Sequence, residues 1–173
     1  MKTKNIKNIS KVTCLAASLI ISGIPTAQAD SARDPVPYGP FTINTCGFPI
    51  DVKVVTNKEY QTVTTLADGT TVTKITGNLV LSFTNSTGFT ITRELSGPTT
   101  STNHTDKSGT FVGGGNNFFT FGPTSQGNTG EPGLVFTSGL VVVDYNGNFA
   151  TSFSLHGMQV NGCDLLNPLN RQP

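Results

Sequence analysis

The chain has 173 residues and a formal net charge of +1, and only 12% of its residues are charged, about half of the usual share of roughly 25%. The low charge argues against a protein that attracts nucleic acid electrostatically, and the low charge density argues against a disordered chain solvated by its charges. A chain of this length predicts one domain.

The first 29 residues have the order of a secretory signal peptide. Four lysines precede an apolar run from Val12 to Ile24, and a small-residue site, Ala27-Gln28-Ala29, follows it. The run is shorter than the roughly 20 helical residues that span a bilayer, although an uncleaved membrane anchor is the alternative. Removing residues 1–29 takes four of the 11 cations and leaves seven against ten acids, a net charge of −3. We therefore predict an exported protein, secreted or associated with the cell envelope, without a membrane span.

Two cysteines, Cys46 and Cys163, remain after the predicted leader. An even count in an exported chain favours one disulfide, which would join the two ends of the domain. Two free buried thiols are the alternative. No metal site is predicted, because two isolated cysteines lack the paired spacing that zinc needs.

The rest of the chain reads in three parts. Residues 30–41 are expected to form an extended arm, because their prolines remove backbone donors. Residues 42–166 are expected to form a single β domain, since they are rich in Thr and Val with Phe interspersed. Within this domain, residues 123–132 read as a polar, Gly-rich loop. Residues 167–173 read as a polar tail.

Turn signals divide the domain into short strands. Asp68-Gly69 and Asn146-Gly147 are strong hairpin signals between segments of alternating hydrophobicity. The consecutive hairpins predict an all-β fold, an antiparallel meander of about eight strands. We expect a closed or nearly closed barrel, because closure protects strand edges, with a β-sandwich as the alternative. Lipocalin-like and allene-oxide-cyclase-like barrels are analogous in fold only.

Three residues are candidates for ligand binding. Arg93 lies on the apolar face of a predicted strand with Phe89 and Leu95, where an unpaired charge is costly. It could meet an anionic ligand or an internal carboxylate, or it could extend outward to solvent. Phe119 and Phe121 lie beside the Gly-rich loop and could line a pocket at the barrel mouth, with ordinary core packing as the alternative.

No set of residues marks a catalytic site. His104 and Asp106 could offer two metal ligands, but no third ligand is close in sequence. No Gly-x-Ser-x-Gly motif is present, and most acidic residues fall in turns or on polar faces. Catalytic residues therefore stay unassigned and no cofactor is predicted. If the protein is an enzyme, the first residues to examine for a polar cluster in a cleft are Arg93, Glu59 and Glu94.

Short motifs occur along the domain in a recognisable order: Cys46-Gly47-Phe48-Pro49, Asp68-Gly69-Thr70, Thr76-Gly77-Asn78, Ser96-Gly97-Pro98, Gly130-Glu131-Pro132-Gly133-Leu134 and Cys163. With these motifs the chain resembles a family of small exported β-rich bacterial proteins of actinobacterial type. The resemblance covers about residues 41–166. It implies export and a β-rich domain, and it implies no activity and no catalytic residues. The cysteine placement agrees with the disulfide.

The leading functional hypothesis is a secreted, non-catalytic β-barrel that binds a small apolar ligand or a protein partner at its surface. Nucleic acid is not an expected partner, and the sequence does not indicate an oligomeric state. One alternative is a barrel enzyme, either an isomerase or a hydrolase. Another is a structural interaction protein of the cell envelope.

Overall fold

The structure is a computed structural model that describes residues 33–171. The predicted leader (1–29), the first residues of the predicted arm (30–32) and the last two residues of the tail (172–173) lie outside the described residues. The described elements are β1 (Asp34–Pro35), β2 (Phe41–Ile43), β3 (Ile50–Thr65), β4 (Thr71–Asn85), β5 (Thr90–Ser96), β6 (Thr99–Asn103), β7 (Ser108–Gly113), β8 (Asn116–Thr120), α1 (Pro123–Thr129), β9 (Leu134–Asn146), β10 (Phe149–Asn161), α2 (Gly162–Leu166) and a 3-10 helix (Pro168–Arg171).

The ten described strands form one antiparallel sheet, which confirms the all-β, antiparallel prediction. Its main path runs β1-β3-β4-β6-β7-β9-β10, and β2 pairs with β3. Both β5 and β6 pair with β4, while β7 and β8 both pair with β9. The predicted meander is therefore present from β3 to β10. Two of its central strands are interrupted, one between β5 and β6 and the other between β7 and β8. The path ends at β1 and β10, so the sheet is not closed across residues 33–171 and the barrel is not confirmed.

Both predicted hairpin turns are confirmed. Asp68-Gly69 lies between β3 and β4, where the backbone N–H of Leu66 donates to the carbonyl oxygen of Thr70 at 2.8 Å. Asn146 is the last residue of β9, and Gly147 lies in the turn that leads to β10. The β9–β10 pairing is the longest after that of β3 with β4.

The prediction of a loop over residues 123–132 is wrong, because Pro123–Thr129 forms α1. Pro123 lies in the first turn, where its missing N–H costs no helical hydrogen bond, and Gly130 ends the helix in the left-handed conformation. Ser125 is buried and accepts a hydrogen bond from the backbone N–H of Ala150 on β10 at 3.0 Å. Packing on β10 thus stabilises a helix whose Ser, Thr, Asn and Gly residues have low helix propensity.

Two hydrophobic clusters occupy opposite faces of β9. Leu134 and Phe136 belong to the first cluster, in which they pack with residues of β3, β4 and β5 such as Phe83. Val135 and Val141 belong to the second cluster. The alternation follows from strand geometry, in which successive side chains point to opposite faces.

The predicted disulfide between Cys46 and Cys163 is present, with a Cα–Cα distance of 5.2 Å. It joins the segment after β2 to α2, and both half-cystines pack against the first cluster. Beside it, the side-chain amide of Asn85 donates a hydrogen bond to the carbonyl oxygen of Leu166 at 2.9 Å. The covalent and hydrogen-bonded contacts together hold the C-terminal helix on the sheet.

The break between β5 and β6 meets the break between β7 and β8 at three glycines, Gly97, Gly114 and Gly115. We call this contact the glycine junction. Gly114 donates its N–H to the carbonyl oxygen of Pro98 at 2.9 Å, and β6 and β7 pair beyond that point. A Cβ on Gly97, whose φ is 142°, would overlap the carbonyl oxygen of Gly114. On the other side of the junction, β5 and β8 do not pair with each other in the described part of the chain.

Replacement of both cysteines, Cys46→Ser with Cys163→Ser, is expected to lower the free energy of unfolding by about 2–4 kcal/mol. The unfolded chain regains the freedom that a crosslink between residues 117 apart removes. Denaturant unfolding measures the change, and the wild type under reducing conditions should unfold at the midpoint of the double variant. An intact mass that does not rise by two hydrogen atoms on reduction would show that the bridge is absent.

The substitution Gly97→Ala is expected to lower the free energy of unfolding by about 1–3 kcal/mol, because the new methyl group overlaps the backbone of Gly114. The matched control is Gly127→Ala in α1, where a Cβ meets no atom within 4 Å and alanine favours the helix. Urea unfolding of both variants tests the difference. Equal stability of the two variants would argue against a tight junction.

Candidate functional site

Two cavities open on the side of the glycine junction where β5 and β8 separate. The larger one, which we call the β5–β8 cleft, has a volume of about 710 Å³ and is bounded by β5, β8, β9 and β10. The smaller one, which we call the Glu59 cavity, has a volume of about 120 Å³. Leu95, Asn116 and Asn117 line both, so the two cavities adjoin.

The floor of the β5–β8 cleft is an apolar face of the β9–β10 hairpin. Phe136 pairs with Val160, and Ser138 pairs with Met158, so these four side chains share one face. Phe136 is buried, whereas Met158 is 72% exposed and Val160 is 44% exposed. The sheet thus leaves apolar side chains uncovered where the cleft begins.

The wall of the cleft is the edge of β5 that faces away from β4. Residues 92–95 line this wall, and among the described strands β5 pairs with β4 alone. An unpaired strand edge presents backbone N–H and C=O groups to whatever lies beside it. The cleft therefore combines an apolar floor with a polar backbone edge.

Arg93 projects into the cleft from the same face of β5 as the buried Leu95, which is the placement that the strand alternation predicts. Its guanidinium carbon lies 5.1 Å from the ring centroid of Phe136, within the range of a cation–π contact. Its Nε is buried and has no hydrogen-bond partner within residues 33–171. The adjacent carboxylate, Glu94, is exposed and accepts a hydrogen bond from the side-chain amide of Asn78 instead.

Glu59 lines the smaller cavity from the middle of β3. Its Oε2 is buried and unpartnered in the described structure, and burial raises the pKa of its carboxyl above the ordinary value. Tyr38 lines the same cavity from the arm that precedes β2. Burial also raises the pKa of the Tyr38 hydroxyl, and the nearby charge of Glu59 adds to the effect.

Buried polar atoms without a partner mark this region of the molecule. In the described part of the chain, three such side-chain atoms occur: Glu59 Oε2, Arg93 Nε and Thr137 Oγ1. Glu59 lines the smaller cavity and Arg93 lines the cleft, whereas Thr137 borders the cleft but alternates with Phe136, so its side chain belongs to the opposite face of β9. Because buried polar groups are nearly always hydrogen-bonded, the coincidence of Glu59 and Arg93 with the cavities identifies the region as the candidate site.

The other two ligand-binding candidates lie apart from Arg93. Phe119 lines the Glu59 cavity and also packs edge-on against Phe111, with ring centroids 5.3 Å apart. Phe121 is 2% exposed within the second hydrophobic cluster and lines neither cavity. The structure therefore brings Arg93 and Phe119 to adjoining cavities and places Phe121 in the core.

Sequence reasoning missed the floor of the cleft. Met158 and Val160 alternate on one face of β10, and this pattern by itself predicts burial, which the structure does not provide. The two asparagines at the start of β8 were also missed, since only the separation of β5 from β8 exposes them to the cavities.

Among the described residues, no group of three or more His, Cys, Asp or Glu side chains lies close enough to hold a metal ion.

Comparison with models of known protein families, with curated proteins and with solved structures gave no match. The resemblance to exported bacterial β-rich proteins therefore stays a prediction.

Neither α1 nor α2 has the length and apolar composition that a membrane-crossing helix requires, and the described residues contain no other α-helix.

The substitution Glu59→Gln is expected to make stability less sensitive to pH. The folded-state pKa of Glu59 is raised above the ordinary 4.5, so folding binds a proton more tightly. The wild type therefore loses stability as the pH rises through 4.5 to the folded-state pKa, and the variant does not. Urea unfolding across this window should show the stability of the variant rising relative to that of the wild type.

The matched control for this measurement is Glu94→Gln, which neutralises an exposed carboxylate on β5. If both variants gain stability equally relative to the wild type as the pH rises, burial of Glu59 is not the cause.

Proposed function

We propose that this protein binds a small amphipathic anion in the β5–β8 cleft and that it does so outside the cytoplasm, without catalysing a reaction. The observation that carries the proposal is the guanidinium of Arg93, which lies over Phe136 beside an apolar floor and whose buried Nε has no partner in the described part of the chain. A ligand with an apolar body and one anionic group would complement both features.

The charge of Arg93 supports an anionic ligand group. A guanidinium presents a planar fork of donors that matches a carboxylate or a similar oxyanion, and such charge-assisted bonds are stronger than neutral ones. The nearest carboxylate in sequence, Glu94, is bonded to Asn78 and does not satisfy the Arg93 Nε. An anion bound in the cleft would therefore pair with the positive charge of the Arg93 guanidinium.

The shape and composition of the cleft support a small molecule with an apolar body. Its volume of about 710 Å³ falls within the range of about 300–1,000 Å³ that is typical of small-molecule sites. Covering the exposed Met158 and Val160 would remove apolar surface from water, at a gain of about 25 cal/mol for each Å². An open cleft serves this purpose without the closed barrel that the sequence predicts.

The placement of the charged residues supports binding over catalysis. Arg93 lies in the cleft and Glu59 in the smaller cavity, while the side chain of Glu94 bonds to Asn78 on the exposed surface. General acid–base chemistry needs such groups within hydrogen-bond reach of one reacting bond. The disulfide and the predicted leader support a place outside the cytoplasm, where disulfides persist.

Octanoate, below its critical micelle concentration, is the probe that tests this proposal, with octanol, below its solubility limit, as its uncharged analogue. Isothermal titration calorimetry should detect octanoate binding to the wild type. Arg93→Met should weaken octanoate binding about tenfold or more, because a charge-assisted bond is lost, while octanol binding changes little.

The matched control is Lys74→Met, which removes an exposed cation of β4 outside the cleft and should leave octanoate binding unchanged. Met158→Ser should weaken the binding of both probes because it removes part of the floor. Equal loss of octanoate affinity in the Arg93 and Lys74 variants, or no binding to the wild type, would refute the proposal.

A further inference from the structure

The Glu59 cavity has features that the anion proposal does not use. The buried Oε2 of Glu59 lacks a partner among the described residues, and an ionised carboxylate without a partner is costly to bury. Among residues 33–171, Glu59 and Tyr38 are the only ionisable ones that line the cavity. The cavity therefore carries negative charge whenever Glu59 is ionised, and no lining cation neutralises it.

The walls of the same cavity are rich in aromatic rings. Tyr38, Phe111, Phe118 and Phe119 line it, together with aliphatic side chains such as that of Leu79 and uncharged polar side chains such as that of Asn116. Aromatic rings attract cations through their quadrupoles, and they provide few hydrogen-bond acceptors. A carboxylate among aromatic walls therefore suits a cation with an apolar surface. A divalent metal ion would need six or more oxygen ligands.

We propose that the Glu59 cavity binds an alkylated ammonium group of the choline type. Its volume of about 120 Å³ is several times the roughly 30 Å³ that one water molecule occupies in the liquid, so it has room for a small organic group. Methyl groups on the nitrogen would contact the aromatic and aliphatic walls, and the positive charge would be paired with Glu59. This proposal stands on a different cavity and on different residues from those that carry the anion proposal.

The test is an NMR titration of the isotope-labelled protein with choline, at constant ionic strength and at a pH that keeps Glu59 ionised. The neutral isostere of choline, in which carbon replaces nitrogen, is the matched ligand. Choline should cause saturable shifts in backbone signals of residues at the cavity, such as Glu59 and Gly97. The isostere should bind about tenfold more weakly or not at all, because only its charge differs.

Two variants separate charge recognition from a change in folding. Glu59→Gln should weaken choline binding about tenfold or more and leave binding of the isostere unchanged. Asp51→Asn, which neutralises an exposed carboxylate on the same strand, should leave choline binding as it is in the wild type. Dispersed spectra show that each variant is folded.

Several results would overturn the proposal: no saturable shifts, shifts away from the cavity, equal affinity for choline and its isostere, or choline affinity that survives Glu59→Gln. Because the octanoate experiment depends on Arg93 and the floor of the cleft, either proposal can fail while the other one stands.

Discussion

The close backbone contact at the glycine junction determines the rest of the architecture. Only residues without a Cβ allow Gly97 to pack against Gly114, and there the two central strands bend out of their pairing. Gly139 extends the contact, since its N–H donates to the carbonyl oxygen of Gly115 at 2.9 Å. On one side of this point the sheet is continuous through β6 and β7. On the other side it divides, and both cavities lie in that division.

The division of the sheet has an energetic cost that the molecule offsets elsewhere. It leaves the edge of β5 along the cleft without a partner among the described strands, and it exposes apolar side chains of β10. The first hydrophobic cluster holds the two parts together, because Phe136 of β9 packs edge-on against Phe83 of β4 with centroids 5.0 Å apart. The disulfide adds a covalent link at the end of the sheet that is remote from the β6–β7 hairpin. The first cluster and the disulfide thus fix the parts of the sheet around the cavities, which favours a preformed site over one that forms only when the ligand binds.

The ionisable side chains of the two cavities, Arg93 and Glu59, have charges of opposite sign. Arg93 lies over an aromatic ring and Glu59 lines a small cavity, and each has a buried polar atom without a hydrogen-bond partner among the described residues. Strand alternation indicated Arg93 as a candidate from the sequence, because it places a cation among apolar residues on one face of the strand. Glu59 was a candidate only if the protein is an enzyme, and its sequence did not indicate burial, since its neighbours Lys58 and Tyr60 are polar and exposed. Its burial depends on Tyr38 and on phenylalanines that are distant in the chain.

By itself, the sequence determined the strands, both hairpin turns, the alternation that places Arg93 beside Leu95, and the cysteine pair that forms the disulfide. These features depend on side-chain periodicity and turn chemistry, which act over a few residues, and on cysteine count. Tertiary structure alone decided that Pro123–Thr129 is helical, that the sheet is not closed within residues 33–171, that Phe121 is core and that Met158 borders a cleft. Periodicity assigns a residue to a face of its strand. What covers that face depends on backbone contacts between distant segments, and here those contacts meet at the glycine junction.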